Sequence, residues 1–199
     1  MSLTKEISGY ATSLFDVFGI NKLPDGNTIF VAGLESTAER DLDLFGRIDG
    51  LFEMHGYRKH FVPKLESMID FINTKGFSAA LIGCHGYPLK GEVDLKELAL
   101  KSGIGSRGKS TIVLHPEYGT RLRFAAISSD IPVECNEAIR IKDYDLCRDC
   151  TVCIDVCPIH ILEPNKLNDI PACLSNAANM EHIEQRLVPC DICLQQCPA

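Results

Sequence analysis

The chain has 199 residues, 45% of them hydrophobic, and a formal net charge of −7, which is apolar enough for one large domain or a domain with a small appendage. Residues 141–199 set four bases against nine acids; that balance speaks against a phosphate-backbone ligand, which needs a basic stripe, and suits a basic redox partner. No apolar run reaches the roughly 18 residues that span a bilayer, the first residues lack the charged-then-apolar order of a signal peptide, and ten cysteines in such a chain favour metal ligation in a reducing cytoplasm over disulfides.

Ile7, Ala11, Leu14, Phe15 and Phe18 recur at helical spacing and predict an amphipathic helix over 4–18. Pro24-Asp25-Gly26 marks a turn. Residues 28–34 read as a short buried strand. Ser36 or Thr37 can cap a second helix, whose apolar face would run from Leu42 to Met54. A third helix follows Pro63, carries Leu65, Met68, Ile69 and Ile72, and stops at Lys75-Gly76. Residues 78–83 are strand-like and lead into the loop Cys84-His85-Gly86. There a half-buried thiol beside a loop histidine is favoured over a nucleophilic or ligating pair. Asp94 can cap a short helix through Leu100.

Gly103-Ile104-Gly105-Ser106-Arg107-Gly108-Lys109-Ser110 fits two phosphate-loop patterns, G-x-x-x-x-G-K-S and G-x-G-x-x-G. Both mechanisms need a strand before the loop and a helix after it. Here a helix precedes and a strand, Thr111–Leu114, follows. The stretch therefore reads as a glycine-rich helix-to-strand turn, or as a backbone loop that lets a flat cofactor approach closely. His115–Gly119 is a turn. Arg121–Ser129 completes a hairpin or a neighbouring strand, and Ile131-Pro132-Val133 opens a connector. Cys135 lies there, outside the cysteine motifs, and reads as a structural or free thiol.

The chemistry concentrates after residue 141. Cys147, Cys150, Cys153 and Cys157 with Pro158 spell C-x2-C-x2-C-x3-C-P, the spacing of a two-cluster ferredoxin, in which the fourth cysteine serves the other cluster. Cys190, Cys193 and Cys197 with Pro198 repeat C-x2-C-x3-C-P, and Leu187 stands where a leading cysteine would fall. Cys173 can replace it. The interleaved logic assigns Cys147, Cys150, Cys153 and Cys197 to one [4Fe–4S] cluster. Cys157, Cys173, Cys190 and Cys193 go to a second. Zinc is the competing reading, since paired C-x2-C units also build zinc ribbons, but zinc seldom needs a third cysteine in the same loop. A helix from Ser175 to Leu187 would separate Cys173 from Cys190. The segment has too little core to stand without such staples.

Residues 96–199 resemble the epoxyqueuosine reductases and, more distantly, the corrinoid-dependent reductive dehalogenases. The resemblance rests on Leu98-Ala99 through Gly103-Ile104-Gly105 and Gly108-Lys109, on Ile112–Gly119, on Asp130-Ile131-Pro132, and on all eight cysteines. It implies a corrinoid-binding domain, in which Gly103, Gly105, Gly108 and Lys109 belong to the loop at the corrinoid (cobalamin), and a domain of two [4Fe–4S] clusters that feeds the cobalt. The sequence departs from the family in being shorter before the clusters and in ending at Ala199 without the tRNA-holding extension. It also has Leu89 where a gap-free count places the acidic proton donor, and Ser106 where a tryptophan often stands.

The expected architecture is α+β, or α/β. Residues 1–140 form a helix-and-sheet domain related to the corrinoid-binding one, and residues 141–199 form a two-cluster ferredoxin-like domain. The leading functional expectation is an iron–sulfur electron-transfer protein delivering electrons to a partner or a bound cofactor. Behind it stand a corrinoid-dependent reductase, an oxidoreductase with Glu92, Asp94 or Tyr118 as proton donor, and a regulatory or structural iron–sulfur module.

Overall fold

The computed structural model describes residues 2–48, 51–82, 93–135, 142–178, 182–183, 186–187 and 190–199. Helix α1 (Leu3–Leu14) starts at Ser2, whose hydroxyl accepts from the Lys5 amide. It ends four residues before the periodicity does. Phe15 is already extended, and the Asp16 amide donates to Gly33. Phe18 thus lies in strand β1 (Val17–Lys22), a hairpin partner of β2 (Thr28–Glu35). Strand pairing overrides helical spacing here because β1 completes the ladder of a strand that is buried along nearly all its length.

Residues 42–54 differ most from expectation. Instead of a helix they form strands β3 (Phe45–Ile48) and β4 (Leu51–Met54), with Ile48 opposite Leu51. Asp49-Gly50, between these two, is a strong two-residue hairpin signal. Helix α2 (His55–His60) follows, then α3 (Val62–Thr74), which carries Pro63 in its first turn and ends at Gly76 with φ 86°. Strand β5 (Ala79–Ile82) stands where the sequence predicts it. Helix α4 (Leu95–Lys101) leads through a glycine turn to β6 (Ser106–Arg107), and β6 pairs with β7 (Val113–Leu114). Strand β8 (Leu122–Ser129) leaves β7 alone and lies between β2 and β5.

The main sheet has the order β1-β2-β8-β5, with every neighbouring pair antiparallel, so the fold is α+β. Strand β2 is its centre, and its alternation divides the core. Phe30, Ala32 and Leu34 join Ile7 and Ala11 of α1 and Leu65, Met68 and Ile72 of α3. Ile29 and Val31 face the other way, onto Ala99 and Leu100 of α4 with Ile104 and Val113. The sheet is therefore covered on both faces. Thr28, fully buried, donates its hydroxyl to the Ile131 carbonyl at 2.6 Å. Cys135 packs at the edge of the larger cluster.

The cysteine segment is built from short pieces: a 3-10 turn (Asp145–Cys147), α5 (Val152–Asp155), β9 (Leu162–Glu163), β10 (Lys166–Leu167), α6 (Ile170–Ala178), β11 (His182–Ile183), β12 (Arg186–Leu187) and α7 (Ile192–Gln195). The expected helix over 175–187 is displaced. It begins at Ile170, takes in Cys173 and ends at Ala178. Strand β12 instead pairs with β3, Arg186 opposite Gly46, in the sheet order β11-β12-β3-β4.

Candidate metal centre

The two C-x3-C-P repeats fold alike. In the first, the Ile154, Val156 and Cys157 amides donate to Thr151, Val152 and Ile154. In the second, Leu194, Gln196 and Cys197 donate to Asp191, Ile192 and Leu194 at nearly the same distances. Each repeat is a single helical turn, α5 or α7, ending in a cysteine before proline, and the two turns pack together. Sequence identity in the motif thus becomes structural equivalence.

That packing sorts the cysteines. Cys147, Cys150, Cys153 and Cys197 line one small cavity, together with Leu146, Pro198, Leu114 and Lys109. Burial pushes the Cys153 thiol up, and Cys147, Cys197 and Cys150 act on it electrostatically in the same direction. Around Cys193, burial raises the thiol to about 11, with Cys173 and Cys190 as the largest charge neighbours and Cys153 and Cys157 behind them. Cys173 is raised by burial and by Cys190 and Cys157. Cys197, near the end of the cysteine segment, thus stands at the same cavity as Cys147, Cys150 and Cys153. Among the described residues all nine cysteines are free thiols. None of their clusters converges on a single-ion site; four of them ring a void instead.

Cys157 behaves differently from the rest. Burial would raise its thiol, but the amides of Ile161, Ile159, Leu162 and His160 hydrogen-bond the sulfur and hold it below the ordinary thiol range. Positive φ at His160 (50°) is part of the turn that turns these amides inward. A thiolate with several N–H donors is a good cluster ligand, and such hydrogen bonds are one of the levers on a cluster's potential.

The last residues touch the turn that ends at Gly119 and the residue after it. Gly119 has φ 54°, and a Cβ there would stand 2.5 Å from the Ala199 carbonyl. The Thr120 hydroxyl donates to Leu194. These contacts fix Cys197 without any tie in sequence, and no periodicity announces them. Cys197 also borders a cleft of about 620 Å³, lined by Thr37, Asp43, Arg123, Asp191 and Gln195 among others. Arg123 closes a two-pronged pair with Asp43 at 2.6 Å on each arm, so these two charges of the cleft are matched.

The remaining candidates are dispersed. The Asp94 carboxylate caps α4 by accepting from the Glu97 amide at 3.0 Å. Tyr118 stacks on His115 with ring centroids 4.9 Å apart and packs against the smaller core cluster. Glu92 and Cys84 lie outside the described residues. Gly103, with φ 75°, ends α4. Cβ atoms at Gly105 and Gly108 would press on Leu114 of β7. These glycines serve a tight helix-to-strand turn, and Lys109 alone reaches the cysteine cavity. Lys96 escaped sequence reasoning altogether. Its side chain is exposed overall, yet surrounding protein lowers its ammonium pKa, while Asp94, Cys173 and Cys193 pull it back up.

No protein-family model matches the chain. Solved structures do. An epoxyqueuosine reductase crystallised with a tRNA-Tyr epoxyqueuosine-modified tRNA stem loop superposes with a TM-score of 0.71 at 22% identity, over 98% of this chain and 64% of that one. A reductive dehalogenase whose structure suggests a mechanism for B12-dependent dehalogenation gives 0.72 at 17% identity, over 96% and 31%. The fold is that of the reductases these two represent. Within that class, the chain is a homologue of the epoxyqueuosine reductases. It is 30% identical to the Bacillus subtilis protein over 145 residues, taking in 68% of this chain and 36% of that one, and 32% identical to the Listeria monocytogenes protein over 118 residues, taking in 54% and 30%. The chain spans about a third of the length of these curated relatives.

Proposed function

We propose that the chain is an iron–sulfur electron-transfer protein, with residues 1–140 as scaffold and 141–199 as a carrier of two [4Fe–4S] clusters. The observation that carries this reading is the convergence of Cys197, from the end of the chain, on the cavity already lined by Cys147, Cys150 and Cys153. Three thiols from one loop and a fourth from a distant repeat suit a cubane better than a single ion. Cys157, Cys173, Cys190 and Cys193 would hold the second cluster.

When bound, the clusters supply one-electron redox chemistry. The protein's own part is to hold the thiolates, exclude water and keep the two sites adjacent. Cys153, in α5, and Cys157, two residues past its end, are both buried and would belong to different sets, which gives a short covalent link between the sites. Cys197 borders both the cysteine cavity and the large cleft. Electrons from an external low-potential carrier protein would then enter at the Cys173 side and leave past Cys197. Leu146, 59% exposed, and Val152 flank the first cysteine loop, amid the exposed acids Asp145, Asp149 and Asp155. That surface suits a partner with a basic rim.

Anaerobically purified chain should hold about eight irons and as much acid-labile sulfide, two cubanes' worth. Fewer than about two irons with stoichiometric zinc would sink the reading.

A second reading is favoured by the cleft beside Cys197: a corrinoid occupies it, and the chain is the reductase core of an epoxyqueuosine reductase-like oxidoreductase. The cleft's border on Cys197 supports this, as do the relatives. Titration with cobalamin should then change the corrinoid spectrum and leave cobalt with the protein after gel filtration. Absence of both leaves electron delivery to a protein partner as the function.

A further inference from the structure

Lys109 lies near the end of the glycine stretch, and its side chain is committed to the cysteine loop. Its ammonium donates to the carbonyls of Arg148 and Cys150 at 3.0 Å each. Those carbonyls belong to the loop that carries Cys147, Cys150 and Cys153, and Lys109 lines the same cavity as these thiols and Cys197. Its backbone is held as well. The Asn165 amide, in a turn with φ 61°, donates to the Lys109 carbonyl at 3.0 Å. The Gly108 amide donates to Ile112 and the Thr111 amide to Gly108, closing the tip of the β6–β7 hairpin. Gly108 leaves room for Leu114 behind it. A rigid hairpin therefore delivers one fixed cation to one cysteine set.

We propose that Lys109 is a positioning and potential-setting residue for the cluster held by Cys147, Cys150, Cys153 and Cys197. The inference rests on the two-cluster reading above. Four thiolates and two carbonyl dipoles concentrate negative charge at this cavity. An ammonium in the same low-dielectric space favours the reduced, more negative state. It also ties the cysteine loop to the scaffold, since the two carbonyls would otherwise need other donors. Lysine serves here as a compact point charge with three donors. The second set has its own cation nearby, Lys96, which acts on Cys173 and Cys193 through space; Lys109 differs in donating directly to the carbonyls of the loop that carries its cysteines.

The test is a mediated anaerobic redox titration, followed by electron paramagnetic resonance, on the full chain and on Lys109→Gln and Lys109→Arg. Gln keeps a donor for the carbonyls and removes the charge; Arg keeps the charge. The expected result for K109Q is a lower potential for one cluster, by about a tenfold change in its one-electron equilibrium, about 59 mV, with the other cluster unmoved. K109R should titrate close to the parent. If K109Q titrates like the parent, or shifts both clusters equally, the proposal is overturned. Loss of half the iron in K109Q with full iron in K109R supports it, and loss in both overturns it as mere packing. Failure of the underlying reading looks different: the unsubstituted chain itself would lack iron.

Discussion

At the residue scale, Cys197 is the most informative position, because it is the ligand whose assignment runs against proximity. Its nearest cysteine neighbour in sequence is Cys193, yet it opens onto the Cys147 cavity. Cys197→Ser should therefore damage the cluster of Cys147, Cys150 and Cys153 and spare the other. Iron analysis should fall to about half, with one reduced-state signal retained. Loss of the Cys173 cluster instead would reverse the assignment. His115 makes a second prediction at this scale. Its Nδ1 accepts from the Glu117 and Tyr118 amides, and burial lowers its pKa against a smaller opposing pull from Glu117. A histidine with a depressed folded pKa takes up a proton more readily unfolded. Its contribution to stability is present above pH 6.5 and is lost as pH falls below that, towards the folded value. Denaturant midpoints should drop between pH 7 and pH 5, and His115→Asn, which retains an acceptor, should flatten that slope.

At the scale of elements, the turn His115–Gly119 acts as the seat for the end of the chain. Gly119 has φ 54° with the Ala199 carbonyl against it, whereas Gly26, at φ 92°, has open space around it. Both Gly→Ala changes cost about 1–2 kcal/mol of backbone strain. Only Gly119→Ala also displaces the segment bearing Cys197. It should lower iron occupancy as well as melting temperature, while Gly26→Ala should lower the melting temperature alone. Equal iron contents in the two variants would mean that the seat plays no part in holding Cys197. The same scale shows where helical periodicity misleads. Leu42 to Met54 has the apolar spacing of a helix, but β3 pairs antiparallel with β4, and β3 then accepts β12 as a third strand.

At the scale of the whole molecule, stability is unevenly distributed. The main sheet buries large side chains on both faces, with Phe30, Leu34, Met68 and Ile127 fully enclosed. Among the described residues of 142–199, the buried hydrophobic ones are Cys153, Cys157 and Leu162. Metal binding is folding energy for such a segment. Iron removal by a chelator should open cleavage sites within 141–199, while amides of β2 and β8 stay protected in hydrogen exchange. An unchanged proteolysis pattern would show that the cysteine segment stands on protein contacts alone.

The sequence by itself determined the cysteine spacing and three of the four strands of the main sheet, β2, β5 and β8. Spacing is a local property, and C-x2-C-x2-C-x3-C-P is read without knowing the fold. The run Thr28–Leu34 is apolar on both alternating faces, so it could only be a buried strand. The glycine stretch was legible too as a turn between a helix and a strand. Only the tertiary structure decided what depends on residues distant in the chain. Strand pairing cut α1 short and turned Leu42–Met54 into a hairpin. Packing of α5 on α7 brought Cys197 to the first cysteine loop. The rigidity of the β6–β7 hairpin sent Lys109 to the carbonyls of Arg148 and Cys150. Each of these is a contact between segments whose separate patterns are satisfied by more than one structure, and only their mutual burial selects among them.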